Sequence, residues 1–480
     1  MKLHKILNGI KILSCSCDIQ TEIQDIVYDS RKIKKGNAYV CLSGFNYDGH
    51  KFAKKAIQNN AAVVISEKKL DLENLIVVEN TRDALAKMSA NFFDHPSEKI
   101  LSIAITGTKG KTTTSWFIFN ILNSANQKTA LIGTFGFCLD GKITKTENTT
   151  PESYEIQKFL KISLDSGAKN IVLEASSLGL KNHRLDGILF DYAVFTNFSN
   201  DHIGTNEHED IQDYLESKLL LFKNCKHAIL NCDDPEFKRF QNSCKSEIKV
   251  KKFGFSKESD FLAEKFKLIF KSNKFGSEFF LNNENFFINI PGKFNVYNAL
   301  AAISVCSEMK ISKKIIKIVL SQTSLRGRSE IVPVGKNYTL IIDYAHNELS
   351  MKNIISSIRE YNPKRIVTLF GAGGERSHER RFKMGEVSGK LSDLTVITED
   401  NSRREPIDFI IKDIETGILR TEGKYVIIPN RRDAIKWCLD NAQNGDVIIM
   451  AGKGHETYQE INGVKRHFDE REIVKELIEG

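Results

Sequence analysis

The chain has 480 residues, 41% of them apolar and 27% charged, with a formal net charge of +8. That length exceeds what one hydrophobic core organises and predicts about three domains. No uninterrupted apolar run is long enough to span a bilayer, and the charges are interspersed, without the basic stripe of a nucleic-acid binder.

The N-terminus sets Lys2 and Lys5 before an apolar stretch ending Ile12–Leu13–Ser14–Cys15, the outline of an export signal. Gly9 and Lys11 interrupt it and leave it too short, so a cytoplasmic protein is expected. The nine cysteines are scattered and lack a C-x-x-C pair; Cys15 and Cys17 alone are close. They read as small buried apolar residues in a reducing compartment. Residues 1–98 read as a small α/β domain. It contains Asp29–Ser30–Arg31, a turn into the strand Asn37–Leu42, a helix ending near Asn60 and a strand at Ala61–Ser66. Taken alone, Ser30 and Arg31 are surface polar residues.

Residues 99–325 read as a mostly parallel sheet with helices on both faces. Ile100–Ile105 is a buried strand. Thr106–Gly107–Thr108–Lys109–Gly110–Lys111–Thr112–Thr113 follows, and Thr114–Leu122 reads as a helix. Strand, glycine-rich turn, Gly-Lys-Thr and helix make a phosphate cradle: backbone N–H groups and a helix dipole face the anion. Lysine adds a charge, and threonine a Mg²⁺ ligand. The usual spacing is broken, because Ile105 stands where the first glycine belongs. Glu174 ends the strand Asn170–Glu174, where a Mg²⁺ ligand or water-orienting carboxylate is needed. His202 follows the strand Asp191–Asn197; a lone histidine is more often structural. Lys218, in the helical run Ile211–Phe222, reads by itself as a solvated helix lysine. Residues 240–290, rich in Phe and Lys, read as a small antiparallel insertion before a helix at 295–309.

Residues 326–480 form a second, Rossmann-like α/β unit. Polar clusters follow four of its strands: Asp343–His346, Gly371–Arg376, Asp400–Arg403 and Gly452–Glu456. In open α/β sheets ligands bind beyond the carboxyl ends of strands, so a shared site is expected there.

These motifs, in order, resemble the Mur ligase family, the ATP-dependent ligases that add amino acids to the peptidoglycan precursor, and most of all its MurE branch. The compact T-G-T-x-G-K-T-T loop is the family's own form and accounts for the spacing. Asp29–Ser30–Arg31, Asn148–Thr149–Thr150–Pro151, Glu174–Ala175–Ser176–Ser177 with Arg184, Thr196–Asn197 with Asp201–His202, and Tyr214 with Lys218 also match. So do Asn295 with Asn298, Gly327–Arg328, Asp343–His346, Gly373–Arg376, Asp400–Arg403 and Gly452–Glu456. The resemblance implies a UDP-sugar-binding domain (1–98), a central ATP-binding domain (99–325) and an amino-acid-binding domain (326–480).

It also implies roles. Ser30 would contact uridine, while Thr149, Thr150, Ser176 and Arg184 hold the muramoyl-dipeptide. Gly107, Thr108, Lys109, Gly110, Lys111, Thr112, Thr113, Asn298, Arg328 and Asp343 would bind ATP. Thr112, Glu174, His202 and a CO₂-derived carbamate on Lys218 would hold Mg²⁺, making Lys111, Glu174, His202 and Lys218 the catalytic set. Arg376, Asp400, Asn401, Arg403, Gly452 and Glu456 would grip the incoming amino acid. The partners implied are small molecules, with no nucleic acid and no membrane, acting on a monomer.

The chain departs from the family at Leu178, where histidine is usual, and at Gly204–Glu209, which replaces Asp-Tyr-His. It departs again at Asn347–Glu348–Leu349, at Ser377 and at Ser402, where proline is usual. None removes a phosphate or metal group. Arg403 is kept, and a guanidinium suits the distal carboxylate of meso-diaminopimelate. The expected reaction is ATP-driven addition of that amino acid to UDP-N-acetylmuramoyl-L-Ala-D-Glu. The alternatives are a paralogue using lysine, ornithine or another acceptor, and a catalytically silent nucleotide-binding partner.

Overall fold

The computed structural model describes residues 1–44, 47–200, 203–204, 207–271 and 274–479. They form two compact units, Met1–Ala263 with Tyr297–Val319, and Glu264–Val296 with Leu320 onward. Among the described residues no helix is long and apolar enough to cross a membrane.

The first unit carries two sheets. The N-terminal one is ordered Ile12–Cys15, Leu75–Val78, Val63–Ser66, Asn37–Val40, Asp25–Val27; only the exposed Ile12–Cys15 edge runs antiparallel. Cys15 lies on that exposed edge, its sulfur 3.4 Å from that of Cys17, so the buried-cysteine expectation fails there. The edge strand turns all four of its side chains to solvent.

The second sheet is built on Leu101–Thr106, flanked in parallel by Asn170–Glu174 on one side and Phe190–Phe195 on the other. Thr129–Gly133 extends the first side, Cys225–Asn231 and Lys249–Gly254 the second. All but Lys249–Gly254 are largely apolar, as strands covered on both faces must be. Lys249–Gly254 corrects the sequence expectation: it pairs in parallel with Cys225–Asn231 and belongs to the main sheet. Its lysines disguise it, and residues 249–252 are exposed or half-buried. The antiparallel part begins later, with Lys274–Leu281 paired to Glu284–Ile288 in the second unit.

The second unit's main sheet runs Glu330–Val332, Thr339–Asp343, Asp446–Ala451, Arg365–Phe370, Leu394–Ile397, Tyr425–Ile427, parallel except for its first strand. Its two faces bury separate clusters, one around Ile354, Phe370 and Ile414, the other around Leu369, Ile435 and Ile448. In both units the polar motifs fall at the carboxyl ends of neighbouring parallel strands, so the topology gathers residues far apart in sequence.

Candidate functional site

In the first unit the glycine-rich turn leaves Leu101–Thr106 and enters the helix Lys111–Ser124. Gly107 and Gly110 have φ of 150° and 86°. A Cβ at Gly107 would lie 1.9 Å from Thr196 Oγ1, and one at Gly110 2.2 Å from Asn298 Oδ1, so both positions demand glycine. The turn is held from outside. Thr108 N donates to Asn197 O and Lys109 N to Asn197 Oδ1, while Thr196 Oγ1 and Asn197 Nδ2 donate to Lys109 O.

Lys111 Nζ donates to Gly107 O at 2.7 Å, and Lys218 Nζ reaches the same oxygen at 3.0 Å. Lys218 is 1% exposed, which corrects its reading as a solvated helix residue. Asp210 caps the helix Ile211–Leu219 by accepting from Asp213 N, and the four-residue spacing sets Tyr214 and Lys218 on one inward face. The ammonium lies 4.3 Å from the Tyr214 ring centroid, and Tyr214 Oη is 3.2 Å from Thr108 Oγ1. Two cations converging on one carbonyl make a strongly anion-seeking spot.

Beside it lies a cluster of hard oxygens. Thr112 Oγ1 donates to Glu174 Oε2 at 2.9 Å; Thr134 donates through N to Oε1 and through Oγ1 to Oε2. Thr134 follows the strand Thr129–Gly133 and was missed in the sequence, because only the parallel pairing of that strand with Asn170–Glu174 sets it beside the carboxylate. This donor set suits Mg²⁺, which prefers carboxylate and hydroxyl oxygens. The His202 expectation lies outside the described residues.

Next along, Thr150 Oγ1 donates to Glu174 O and accepts from Ser176 N, and Ser176 Oγ caps the following turn at Gly179 N. Arg184 donates to Thr150 O and pairs with Glu152, which also pairs with Arg82. Thr149 Oγ1 is 3.5 Å from Thr134 Oγ1. Thr149, Thr150, Ser176 and Arg184 thus border the same edge of the cradle. His208, within the departing Gly204–Glu209 segment, is wholly buried, with Nε2 2.8 Å from Ser177 Oγ and Nδ1 2.9 Å from Asp213 Oδ2. It brings an imidazole to the Ser176–Ser177 turn, which in this chain continues with Leu178. In the N-terminal sheet, Ser30 opens a short turn capped by Asp29, which accepts from Arg31 N and pairs with the exposed Arg31 guanidinium.

In the second unit, one cavity of about 160 Å³ is lined by Arg376, Asp400, Asn401, Arg403, Gly452 and Glu456 together. It also takes in Tyr344, His346, Arg380 and Arg381. The two helix arginines were missed, since they belong to none of the motifs singled out in the sequence. Arg380 donates to His346 O. Arg381 is 1% exposed; it forks onto Glu405, pairs with Asp413 and donates to Gly373 O. Arg403 has φ of 54° and donates to Gly374 O. Serine in place of proline at 402 is buried, and its carbonyl accepts from Glu405 N. Burial pushes the Asp343 carboxyl up, opposed by the Arg328 charge. Arg328 itself lies 4.9 Å over the Tyr344 ring.

Three family models match this chain: "Mur ligase family, catalytic domain" over residues 22–93, "Mur ligase middle domain" over 105–306 and "Mur ligase, glutamate ligase domain" over 327–454. A relative from Clostridium botulinum, named UDP-N-acetylmuramoyl-L-alanyl-D-glutamate–2,6-diaminopimelate ligase, is 40% identical over 490 residues, covering 100% of this chain and 99% of the relative.

The chain belongs to the Mur ligase family.

A relative of the same name from Caldanaerobacter subterraneus is 39% identical over 482 residues, covering 100% of this chain and 99% of its own length. A solved structure titled as a UDP-N-acetylmuramoyl-L-alanyl-D-glutamate–2,6-diaminopimelate ligase superposes with a TM-score of 0.73 at 27% identity, covering 100% of this chain and 99% of that one. The fold is therefore the three-domain Mur ligase fold, and the chain is an ATP-dependent ligase.

Proposed function

We propose that this ligase joins 2,6-diaminopimelate to UDP-N-acetylmuramoyl-L-Ala-D-Glu in peptidoglycan precursor synthesis. The observation that carries the choice of amino acid is the cavity's double sign. Asp400 and Glu456 suit an ammonium, and Arg376 and Arg403 suit a carboxylate. Diaminopimelate ends in both groups; lysine and ornithine end in an ammonium alone. The domain boundaries 98/99 and 325/326, a monomeric state and a cytoplasmic location belong to the same reading.

The chemistry follows from the residues. The distal D-Glu carboxylate attacks the γ-phosphorus of ATP, the bond to the β–γ bridging oxygen breaks, and ADP leaves. The amine of diaminopimelate then adds to the acyl phosphate carbonyl and inorganic phosphate departs. Lys111 and the backbone N–H groups of residues 110–113, at the start of the helix, offset the charge developing on the transferred phosphoryl group. Thr112 and Glu174, with His202 assigned by resemblance, would hold Mg²⁺, which supplies charge neutralisation at the phosphates. Asn298 in the first unit, and Arg328 and Asp343 in the second, are assigned to ATP by the same resemblance. Ser30 would meet the uridine; Thr149, Thr150, Ser176 and Arg184 would meet the muramoyl-dipeptide.

Lys218 is read as carbamylated. A buried ammonium beside Lys111 is costly, and adding CO₂ turns it into an anionic oxygen ligand while releasing its protons.

Mass spectrometry of products tests the assignment. Purified enzyme with ATP, Mg²⁺ and UDP-N-acetylmuramoyl-L-Ala-D-Glu is offered diaminopimelate, lysine or ornithine separately. The tripeptide mass with diaminopimelate is expected. Lysine as the better substrate would overturn the choice of amino acid, and no product with any of them would overturn the acceptor.

A further inference from the structure

Lys453 sits in the motif Gly452–Glu456 but was assigned no role, and its position is unusual for a lysine. It is 0% exposed, so it cannot touch a substrate. Its Nζ lies 3.4 Å from Asp400 Oδ1, 3.4 Å from Glu456 Oε2 and 3.2 Å from Asn401 Oδ1. The rings of Tyr458 and Phe468 close the rest of its surroundings, 5.7 and 5.8 Å from the ammonium. Asp400 and Glu456 line the cavity from above, and Asn401 Nδ2 donates to Glu456 Oε2 at 2.9 Å.

We propose that Lys453 is a positioning residue for the incoming amino acid. Sealed under the pocket, it is the fixed counter-ion of Asp400 and Glu456, aims both carboxylates at the cavity, and leaves the pair one negative charge in excess to receive a distal ammonium. This rests on the amino-acid reading of the cavity given above.

The physical argument concerns two carboxylates in one desolvated site. Without a cation between them they share a proton, and a shared proton occupies the lone pair an incoming ammonium needs. Other charged or titratable groups face the pair. Arg431 lies behind Asp400, donating to Glu399 O and Ala451 O and paired with the buried Glu470. Arg403 borders the same cavity, and Tyr344 and Tyr458 lie beside Glu456. Arg431 spends its hydrogen bonds on Glu470 and on backbone carbonyls and acts on Asp400 only through space, so Lys453 is the cation in contact with both acids. For Asp400, burial alone would raise the carboxyl, but Lys453 and then Arg431 outweigh it and hold it down. For Glu456, burial and then the Asp400 charge push it up, and Lys453 opposes them.

Two measurements decide it. The first uses unmutated enzyme holding the acceptor and a non-hydrolysable ATP analogue. Diaminopimelate binding is followed by calorimetry in buffers of different ionisation enthalpy. Both acids being already ionised, close to zero protons should leave the pocket at about pH 7.5; release of about one proton overturns the proposal. The second uses Lys453→Gln, which keeps hydrogen bonding and deletes the charge. Its KM for diaminopimelate, taken relative to native enzyme at each pH, should fall about fivefold or more as pH rises from about 6.5 to 9. Its KM for ATP should stay unchanged, and Lys453→Arg should restore a flat ratio. A raised but pH-independent ratio leaves only a structural role and overturns the proposal. Absence of tripeptide from the native enzyme would instead sink the functional reading itself.

Discussion

Arg403 and Lys218 each set a single side chain at a point where the proposed chemistry can be tested. Arg403 is held in the left-handed region, its guanidinium anchored by Gly374 O at the cavity wall. Lysine at that position keeps the charge but loses the planar fork. Arg403→Lys should raise KM for diaminopimelate about tenfold or more while leaving KM for ATP unchanged; an equal change in both would refute a carboxylate-reading role. Lys218 should carry the carbamate. With ¹³C-labelled bicarbonate, native enzyme should show a carbamate carbonyl resonance that Lys218→Ala lacks. The variant should lose about a hundredfold or more in kcat. Native activity without any such resonance would remove the carbamate from the mechanism.

The helix His378–Leu391 makes the corresponding point for elements. Its first turn delivers Arg381 beneath two cavity loops at once. Arg381 grips Glu405 and Gly373 O, and Glu405 in turn accepts from Glu375 N. The Arg381 hydrogen bonds, against the opposing effect of burial, bring the Glu405 carboxyl down to about 2 from its ordinary 4.5. A carboxylate lowered on folding contributes stability that is present above about pH 4.5 and lost as pH falls towards 2. Arg381→Met should therefore cost about 2 kcal/mol near neutral pH, measured by urea unfolding, and the gap between variant and native should close below about pH 2.5. A gap independent of pH would mean that lost packing, not the ion pair, is what the variant removes. The hairpin of Tyr458–Ile461 and Val464–His467 supports the same loops, since Glu460 N donates to Asn401 Oδ1 and Arg403 N to Glu460 O.

At the scale of the molecule, the net charge of +8 acts on polyanionic substrates before they dock. ATP and the UDP-linked acceptor carry several negative charges; diaminopimelate is zwitterionic. Raising salt from about 0.05 to 0.5 M should lower kcat/KM for ATP and the acceptor several-fold and leave that for diaminopimelate nearly flat. Equal salt sensitivity for all three would argue against steering by the overall field.

Local pattern alone determined much of this ligase. Periodicity marked the buried parallel strands, the order strand, glycine-rich turn, Gly-Lys-Thr and helix marked the turn at residues 106–113, and polar clusters after strand ends marked the second unit's cavity. All of these are properties of neighbours along the chain. Other features were decided only by tertiary packing. Lys218 looks solvated on its helix until the cradle folds over it. Thr134 means nothing until parallel pairing sets it against Glu174, 40 residues away. His208 meets Ser177 across 31 residues, and Lys453 meets Asp400 across 53. The strand Lys249–Gly254 carries too many lysines to announce its parallel partner. The reason is common to all: burial and electrostatic partnership depend on which distant segments pack together, and no period or spacing within a segment encodes that.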